Sequence, residues 1–332
     1  MANTIQDKLT YLSGTKDAIK QAIIGKGVEV TDTDTFRSYA DKISSIQSGG
    51  GGTVNLPDGT KFVNSTFTTV TDSLVSYLET QTDLSGIFEN CTSLTTVPSF
   101  NAKATNMSNM FNGCGSLQTV YQINTSNVTN MNQMFYYCEK LQTVLLFNTS
   151  NVTNMNQMFY NCRLLQTVSQ FDTNKVNNMS FMFGGCISLT TVPLFNTSNV
   201  NYMSWMFGYC SSLKSVPQFD TSKVKNMGGM FSDCQNLQTV PHFETSSVID
   251  MSDIFYGCSS LTNLGGFTGL KVNLNLYYCS KLTVDSVMNV ITAAADMTSS
   301  PKTLTLHQSV FNKLSSEQIA TASAKGWNIA GR

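Results

Sequence analysis

A single pattern of 24 residues recurs along most of this chain of 332 residues. Aligned on its cysteine, the pattern is F-N-T-S-x-V-x-N-M-x-x-M-F-x-x-C-x-x-L-x-T-V-P, and its clearest copies are residues 147–168, 171–192, 195–216 and 219–240. One copy holds too few apolar residues to bury a core by itself, whereas stacked copies align identical side chains in columns and close a continuous core. The repeat therefore predicts a solenoid.

The 9 cysteines fall one per repeat, and no two of them form a C-x-x-C pair. They are Cys91, Cys114, Cys138, Cys162, Cys186, Cys210, Cys234, Cys258 and, after a shorter step, Cys279. Zinc sites need ligands that converge from close spacings, so we predict no metal and no other cofactor. Parallel side chains on coils about 4.8 Å apart hold their β-carbons further apart than a disulfide prefers, and we therefore expect reduced, buried thiols.

Each repeat also has a predicted local structure. The segment after the cysteine, such as residues 213–219, is typical of a short strand that proline ends. The N-T-S that follows is turn chemistry, because its side chains bond to nearby backbone. A column of asparagines that begins at Asn106 is expected to be buried and to satisfy the turns, and the N-x-M-F stretch is expected to form a short helical or 3₁₀ turn. Two methionine columns, which begin at Met107 and Met110, are expected to fill the core.

Residues 83–264 resemble the BspA-like leucine-rich repeats, whose pattern F-D-T-S-N-V-T-N-M-x-x-M-F-x-x-C-x-x-L occurs in bacterial surface proteins and in many phage genes. Residues 56–67 are similar to the entry segment of such arrays, and the chain from Lys281 onward is similar to their usual carboxy-terminal cap. The resemblance implies an α/β repeat solenoid. It would be a right-handed, leucine-rich-repeat-like coil of 24-residue repeats, with a small helical amino-terminal module and an α/β carboxy-terminal cap.

Periodicity and composition divide the chain into five parts. These are residues 1–47 (helical anchoring module), 48–53 (glycine-rich linker), 54–82 (entry of the solenoid), 83–280 (solenoid) and 281–332 (carboxy-terminal cap). Within the cap we expect a helix over residues 284–295 and a strand over residues 302–307. A second helix is expected to open with a capping box of Ser315 and Gln318.

The charge is nearly balanced, with 20 basic and 21 acidic residues, and only 12% of residues are charged. We therefore expect no nucleic-acid partner, and no apolar stretch is long enough to predict a membrane span. Asp7 and Lys8 stand where a signal peptide needs an apolar run, so we expect synthesis in the cytoplasm without a signal peptide. The polar surface is left to Asn, Ser, Thr and Gln, which suits hydrogen bonding to sugars or to other proteins.

The amino-terminal segment resembles a second family. Residues 12–46, which include LSGTKDAIKQAIIGKGVEV and TFRSYADKISSI, are similar to the short amino-terminal module of phage tail-fibre and other virion appendage proteins. The resemblance implies that residues 1–47 dock the protein to other virion proteins. Virion appendages usually obey cyclic symmetry, which implies a homo-oligomer and favours a trimer.

Positions that vary between repeats are the candidates for ligand binding, and several of them carry aromatic side chains. They are Tyr136, Tyr137, Tyr160, Phe181, Tyr202, Trp205, Tyr209 and Tyr256. Either these side chains fill irregular gaps, or they form a stacked aromatic surface that contacts a host cell-surface glycan or protein. We expect Trp205 and Tyr209 to be the most exposed of the set.

No catalytic arrangement interrupts the repeats, and we do not expect an enzyme. His242 and His307 lack a partner acid or nucleophile, and the acidic residues are not paired as glycoside hydrolysis requires. We expect a phage virion structural protein, either a tail fibre or a receptor-binding protein that presents the solenoid for host attachment. The alternatives are a capsid decoration or head-fibre protein, a bacterial BspA-like surface adhesin and a polysaccharide-degrading enzyme.

Overall fold

The computed structural model describes residues 58–144 and 147–332, together with positions 16, 17, 19–21, 23 and 30. The chain is a parallel solenoid of about 10 turns with a spacing of about 24 residues, as the repeat predicts. The expected module of residues 1–47 and the linker of residues 48–53 lie outside the described residues except at those few positions, of which 16, 17, 19–21 and 23 are helical.

Adjacent coils pair through short parallel strands, because each coil places the same residues opposite those of its neighbour. Thr96 pairs with Thr119, and Thr119 pairs with Thr143. The strands of the coils are β1 (Thr96–Val97), β2 (Phe100–Asn101), β3 (Thr119–Val120), β4 (Ile123–Asn124), β5 (Thr143–Val144), β6 (Thr239–Val240), β7 (Phe243–Glu244), β8 (Asn263–Leu264) and β9 (Phe267–Thr268). They form the sheets β1-β3-β5, β2-β4, β6-β8 and β7-β9.

The strand expected over residues 213–219 is reduced to one bridge, between Ser215 and Thr239. Gly265 occupies the proline position of its own coil and donates its N–H to the preceding coil over 2.9 Å. Pro217 has no N–H to donate, so pairing ends at that position.

The prediction of a helical or 3₁₀ turn for the N-x-M-F stretch is wrong. The stretch is a run of tight turns. The Met158 N–H donates to Met155 O over 3.2 Å, and the Cys162 N–H donates to Phe159 O over 3.1 Å. Between these bonds an N–H donates outward to the next coil, as from Phe159 to Met182 O over 2.9 Å. A helix would direct every N–H back into its own turn, whereas this alternation lets the stretch pair with its neighbour.

The core consists of stacked columns of identical side chains. Phenylalanine rings three residues before the cysteines stack coil upon coil, as Phe135 does on Phe159 with centroids 5.4 Å apart and planes at 5°. The methionine and leucine columns are buried as predicted, with Met155, Met158 and Leu165 at 0% exposure. Each stacked aromatic pair adds about 0.5–1.5 kcal/mol to the stabilisation from burial alone.

Two polar columns inside the core form hydrogen bonds in opposite directions along the solenoid axis. Each repeat thiol donates to a phenylalanine carbonyl of the preceding coil, as from Cys186 Sγ to Phe159 O over 3.1 Å. The buried threonine of the N-T-S turn donates to the following coil, as from Thr173 Oγ1 to Asn196 O over 2.8 Å. All 9 cysteines are buried and free of disulfides, as predicted. Phe159 O also accepts the Cys162 N–H of its own coil over 3.1 Å, so the thiol occupies the second lone pair of a carbonyl that is already bonded once.

The asparagine column caps the turns, as expected, but its side chains are half-buried rather than buried. Asn154 Oδ1 accepts the N–H of Asn156 over 3.0 Å, and Asn178 Oδ1 accepts the N–H of Ser180 over 2.9 Å. These local bonds fix the start of each tight turn.

Helices and strands of a different kind close both ends of the solenoid. A helix that the repeat pattern does not predict, α1 (Asp72–Leu78), lies in the entry segment and buries Leu74, Tyr77 and Leu78. The carboxy-terminal cap is a parallel sheet, β10-β11-β12, with three helices. Its elements are β10 (Leu274–Leu276), α2 (Val284–Ala293), β11 (Lys302–Leu306), α3 (Gln308–Phe311), α4 (Ser316–Ala324) and β12 (Trp327–Gly331).

The predicted α/β cap is confirmed, with α2 and β11 ending slightly before the expected residues. The capping box is also present at α4. Ser315 Oγ accepts the Gln318 N–H over 3.2 Å, and Gln318 Oε1 accepts the Ser315 N–H over 2.9 Å. These bonds satisfy N–H groups that the start of a helix leaves free.

The thiol column predicts a dependence of stability on pH. Burial raises the pKa of the Cys258 thiol to about 12, whereas an unfolded cysteine has a pKa of about 8.5. The contribution of the protonated thiol is therefore complete below about pH 8.5 and is lost as the pH rises towards the folded pKa. Between about pH 9 and 11, the free energy of unfolding of the wild-type protein should fall more steeply than that of Cys258→Ala, by about 1.4 kcal/mol per pH unit. Urea denaturation measures both slopes, and parallel slopes would contradict the assignment.

Candidate binding surface

Each regular coil contains two residues in the left-handed backbone region, each of them the third residue of a tight turn. In one coil they are Gln157 and Asn161, with φ of 56° and 58°. The first column is Gly86, Asn109, Gln133, Gln157, Phe181, Trp205, Gly229 and Asp253, and the second is Asn90, Gly113, Tyr137, Asn161, Gly185, Tyr209, Asp233 and Gly257. Glycine tolerates this region best because it has no Cβ to crowd the following carbonyl, and Asn and Asp come next because their short polar side chains can hydrogen-bond locally.

Four of the predicted aromatic residues occupy these left-handed positions. Phe181 and Trp205 have φ of 57° and 55°, and Tyr137 and Tyr209 have φ of 56° and 62°. A left-handed residue other than glycine costs about 1–2 kcal/mol, and bulky residues are uncommon there. The chain therefore carries backbone strain at the positions where the aromatic rings stand, and such strain clusters at functional sites.

Six of the eight predicted aromatic residues form one row of ring contacts, which we call the aromatic array. In order they are Tyr137, Tyr136, Tyr160, Phe181, Trp205 and Tyr209. Tyr136 stacks on Tyr160 with centroids 5.1 Å apart. Phe181 stacks on Trp205 with planes at 3°, and Trp205 stacks on Tyr209 at 5.6 Å. Because these residues come from successive coils, the row follows the solenoid axis.

Glycines make room for the largest rings of the array. A Cβ at Gly229 would lie 2.6 Å from Cδ2 of Trp205, and a Cβ at Gly208 would lie 2.7 Å from the same indole. A Cβ at Gly184 would lie 2.9 Å from the ring of Tyr160. These rings therefore pack against bare backbone, which fixes their orientation.

The ends of the array are the parts most open to solvent. Tyr137 is 40% exposed and Tyr209 is 47% exposed. The prediction for Tyr209 is confirmed, whereas Trp205 is half-buried because the glycine backbone covers part of its indole. Burial, together with the neighbouring tyrosines, raises the pKa of Tyr136 and of Tyr160. Their hydroxyls are therefore protonated near neutral pH, and the array can stack on a ligand and donate hydrogen bonds to it.

The repeats match a known family. The model described as "Mycoplasma protein of unknown function, DUF285" matches residues 82–193 and 190–273. The chain belongs to the DUF285 family. The predicted relationship to BspA-like proteins is confirmed, and the protein is a BspA-like leucine-rich repeat protein.

Solved structures similar to this DUF285 protein include a leucine-rich repeat protein from Eubacterium ventriosum, with 22% identity, a TM-score of 0.43 and coverage of 63% of this chain and 57% of that one. A leucine-rich repeat protein of T. pallidum has 22% identity, a TM-score of 0.30 and coverage of 55% and 72%. One from Bacteroides ovatus has 16% identity, a TM-score of 0.29 and coverage of 76% and 78%. The chain thus spans little more than half of the E. ventriosum protein, and no curated protein matches its sequence.

Two predicted residues of this DUF285 protein do not join the array. Tyr202 takes an asparagine position, where its backbone bridges Asn178 and Asn226, and it makes no ring contact with the array in the described part of the chain. Tyr256 contacts Tyr278 instead, with centroids 4.3 Å apart.

The sequence pattern misses Tyr277 and Tyr278, which pack together at 5.0 Å beside the carboxy-terminal cap. Aligned on Cys279, they take the places that Tyr136 and Tyr137 take before Cys138. This alignment is the signal that could have found the second cluster, and the shorter step to Cys279 obscures it.

Both histidines of this DUF285 protein make structural hydrogen bonds. His242 bonds through Nε2 to Thr268 Oγ1 over 2.8 Å and through Nδ1 to Gly265 O over 3.2 Å. His307 Nδ1 accepts the Ser309 N–H over 3.2 Å at the start of α3. Over residues 58–144 and 147–332 no group of three or more His, Cys, Asp or Glu side chains is placed to hold a metal ion. No helix described there is both long and apolar enough to cross a membrane.

The backbone strain at the array predicts that a less strained residue there would make the protein more stable. Tyr209→Asn should raise the free energy of unfolding by up to about 1 kcal/mol, because asparagine tolerates a positive φ better and an exposed tyrosine loses little burial. The matched control is Tyr121→Asn, since Tyr121 is 49% exposed but has no positive φ. Thermal or urea unfolding measures both variants. An equal gain in both would show that backbone strain is not the cause.

Proposed function

We propose that this DUF285 protein is a recognition protein rather than an enzyme, and that its aromatic array binds a glycan or protein on a host cell surface. The observation that carries the proposal is the placement of Tyr137, Phe181, Trp205 and Tyr209 at left-handed positions. Other coils have Gly, Asn, Asp or Gln at these positions. The fold can therefore use less strained residues there, and binding supplies a reason for the aromatic side chains.

The array is organised for binding before a ligand arrives. Its rings stack on one another and on glycine backbone, so a ligand would immobilise few additional rotamers. Tyrosine and tryptophan dominate recognition patches because they combine a large apolar face with a polar tip. From the coil of Tyr137 to that of Tyr209 the row rises roughly 14 Å, at about 4.8 Å per coil, which suits an extended ligand.

We further propose that the solenoid is carried by a phage virion, as a tail fibre or receptor-binding protein. The support is the resemblance of residues 12–46 to the docking module of virion appendages, through which a homotrimer would contact other virion proteins. A capsid decoration protein would have the same layout. The second candidate is a bacterial surface adhesin, which the BspA-like repeats favour.

The binding role predicts a selective loss. Labelled full-length protein should stain at least one strain of a bacterial panel in flow cytometry, and the double variant Trp205→Ala/Tyr209→Ala should lower the apparent affinity at least about tenfold. Tyr202→Ala is the matched control, because Tyr202 is also 47% exposed but lies outside the array. Equal staining by all three proteins, or none across the panel, would reject the array as the binding surface.

The virion location has its own test. Immunogold electron microscopy with an antibody against the repeats should label purified particles at the tail tip. Label on the capsid would assign the protein to head decoration. Label on the bacterial envelope, with particles unlabelled, would reject the virion location in favour of the adhesin.

A further inference from the structure

A second concave surface lies where the last coils meet the carboxy-terminal cap. A groove of about 840 Å³ opens between residues 249–253 and the cap strands β10 and β11. This volume lies within the range of small-ligand sites, roughly 300–1,000 Å³. None of the six residues of the aromatic array lines it.

Tyr277 and Tyr278 form an aromatic wall of this groove. Tyr278 packs on Tyr256 with centroids 4.3 Å apart, and Tyr277 packs on Tyr278 at 5.0 Å and beside His307 at 5.9 Å. Both groove tyrosines nevertheless remain 38% exposed. The rings are thus held by their neighbours and still offer surface on which a ligand can stack.

Amide and hydroxyl groups form the floor. Asn275 Oδ1 accepts the Tyr277 N–H over 3.0 Å, and Asn273 Oδ1 accepts the Thr303 N–H over 2.9 Å. These bonds use the amide oxygens and leave the NH₂ groups as donors for a ligand. The hydroxyls of Thr303 and Thr305 have no hydrogen-bond partner in the described part of the chain, so they can both donate and accept.

Few charged side chains line the groove, and one of them already has hydrogen-bond partners. Asp250 already accepts the Ser252 N–H over 2.9 Å and an amide hydrogen of Asn226 over 3.0 Å, and these bonds hold the pKa of its carboxyl below the usual value, against the effect of burial. The carboxylate of Asp253, exposed on the same turn, has no hydrogen bond among the described residues, and Arg332 lines the groove as a single cation. A ligand therefore meets isolated donors and acceptors of both kinds rather than one strong field.

The strands of the floor present side chains to a ligand. Strand β11 is paired with β10 on one side and with β12 on the other, so it has no free edge of its own, and β10 is an edge strand of this sheet. Thr303 and Thr305 are alternate residues of β11 and share one face. A ligand in the groove therefore meets their hydroxyls beside the amides of Asn273 and Asn275 and the ring faces of the two tyrosines.

We propose that this groove binds a neutral oligosaccharide. A pyranose ring has an apolar C–H face that can stack on Tyr277 or Tyr278, and its hydroxyls both donate and accept. Asn275 would donate to them, Asp253 would accept from them, and Thr305 would do either. This site goes beyond the proposed function, because it shares no residue with the array.

The test titrates the full chain with cellohexaose, maltohexaose and mannohexaose by isothermal titration calorimetry. At least one hexasaccharide should bind, and Tyr278→Ala should weaken that binding about tenfold or more. Thr305→Val removes only a hydroxyl, and Asn275→Asp keeps the acceptor for the Tyr277 N–H but removes the NH₂ donor. Each should weaken binding about two- to tenfold. Circular dichroism and the melting temperature of each variant verify the fold.

Three further measurements distinguish this site from the array and from a site for ionic ligands: a Trp205 variant, the effect of salt, and competition by a charged peptide. Trp205→Ala should leave the affinity unchanged, and 1 M NaCl should change it less than about twofold, since a neutral ligand is not screened. The proposal is overturned if no hexasaccharide binds, or if the three groove variants bind like the wild type. It is also overturned if a lysine-containing peptide binds in preference and is lost at 1 M NaCl. Loss of binding in Trp205→Ala alone would place the sugar on the array, in agreement with the proposed function and against this site.

Discussion

The register between neighbouring coils is the constraint on which the rest of this structure depends. N–H groups along each tight-turn stretch bond to carbonyls at the equivalent position of the next coil, as from Phe159 to Met182. The step from Cys91 to Cys114 is one residue shorter. Phe88 nevertheless keeps the same bond, to Met110 O over 3.0 Å, so equivalent positions stay opposite each other. Because this register holds, phenylalanine meets phenylalanine, and each thiol meets a phenylalanine carbonyl of the preceding coil. The low sequence variety of the core follows from this geometry.

The same register creates the positions where the sequence is free to vary. Turns that pair with the next coil need a left-handed residue at two places, outside the buried columns of identical side chains. Most coils fill these places with residues that tolerate the conformation, such as Asn161 and Gly185. Coils that carry Tyr137, Phe181, Trp205 or Tyr209 give up some stability there, and glycines on the adjoining coils accommodate the larger rings. Fold and recognition are thus assigned to different columns of one repeat.

The repeated columns could be predicted from the sequence, because each is a one-dimensional signal repeated many times. The buried phenylalanine, methionine, cysteine and leucine columns, the α/β cap and the capping box of Ser315 and Gln318 are all confirmed. The tight turns could not be predicted, because the apolar spacing of the N-x-M-F stretch also suits a helix. Gly, Asn and Asp in the second left-handed column indicate a positive φ, but Tyr137 and Tyr209 interrupt that column and weaken the signal. The groove at the cap could not be predicted, since Asp253, Thr305 and Arg332 are far apart in sequence and meet only through the fold.

The two buried polar columns form hydrogen bonds in opposite directions, so the two faces of each coil differ. Thiols donate to the preceding coil, and threonine hydroxyls donate to the following coil. Every coil therefore presents the same groups to the next coil along the chain. Any whole unit can therefore be joined to any other, in one orientation only. Recombination between 24-codon blocks of the gene would lengthen or shorten the solenoid without disturbing the core. Each unit gained or lost between the aromatic array and the carboxy-terminal cap would change their separation by about 4.8 Å, so the distance between the two surfaces can evolve in discrete steps while their chemistry stays the same.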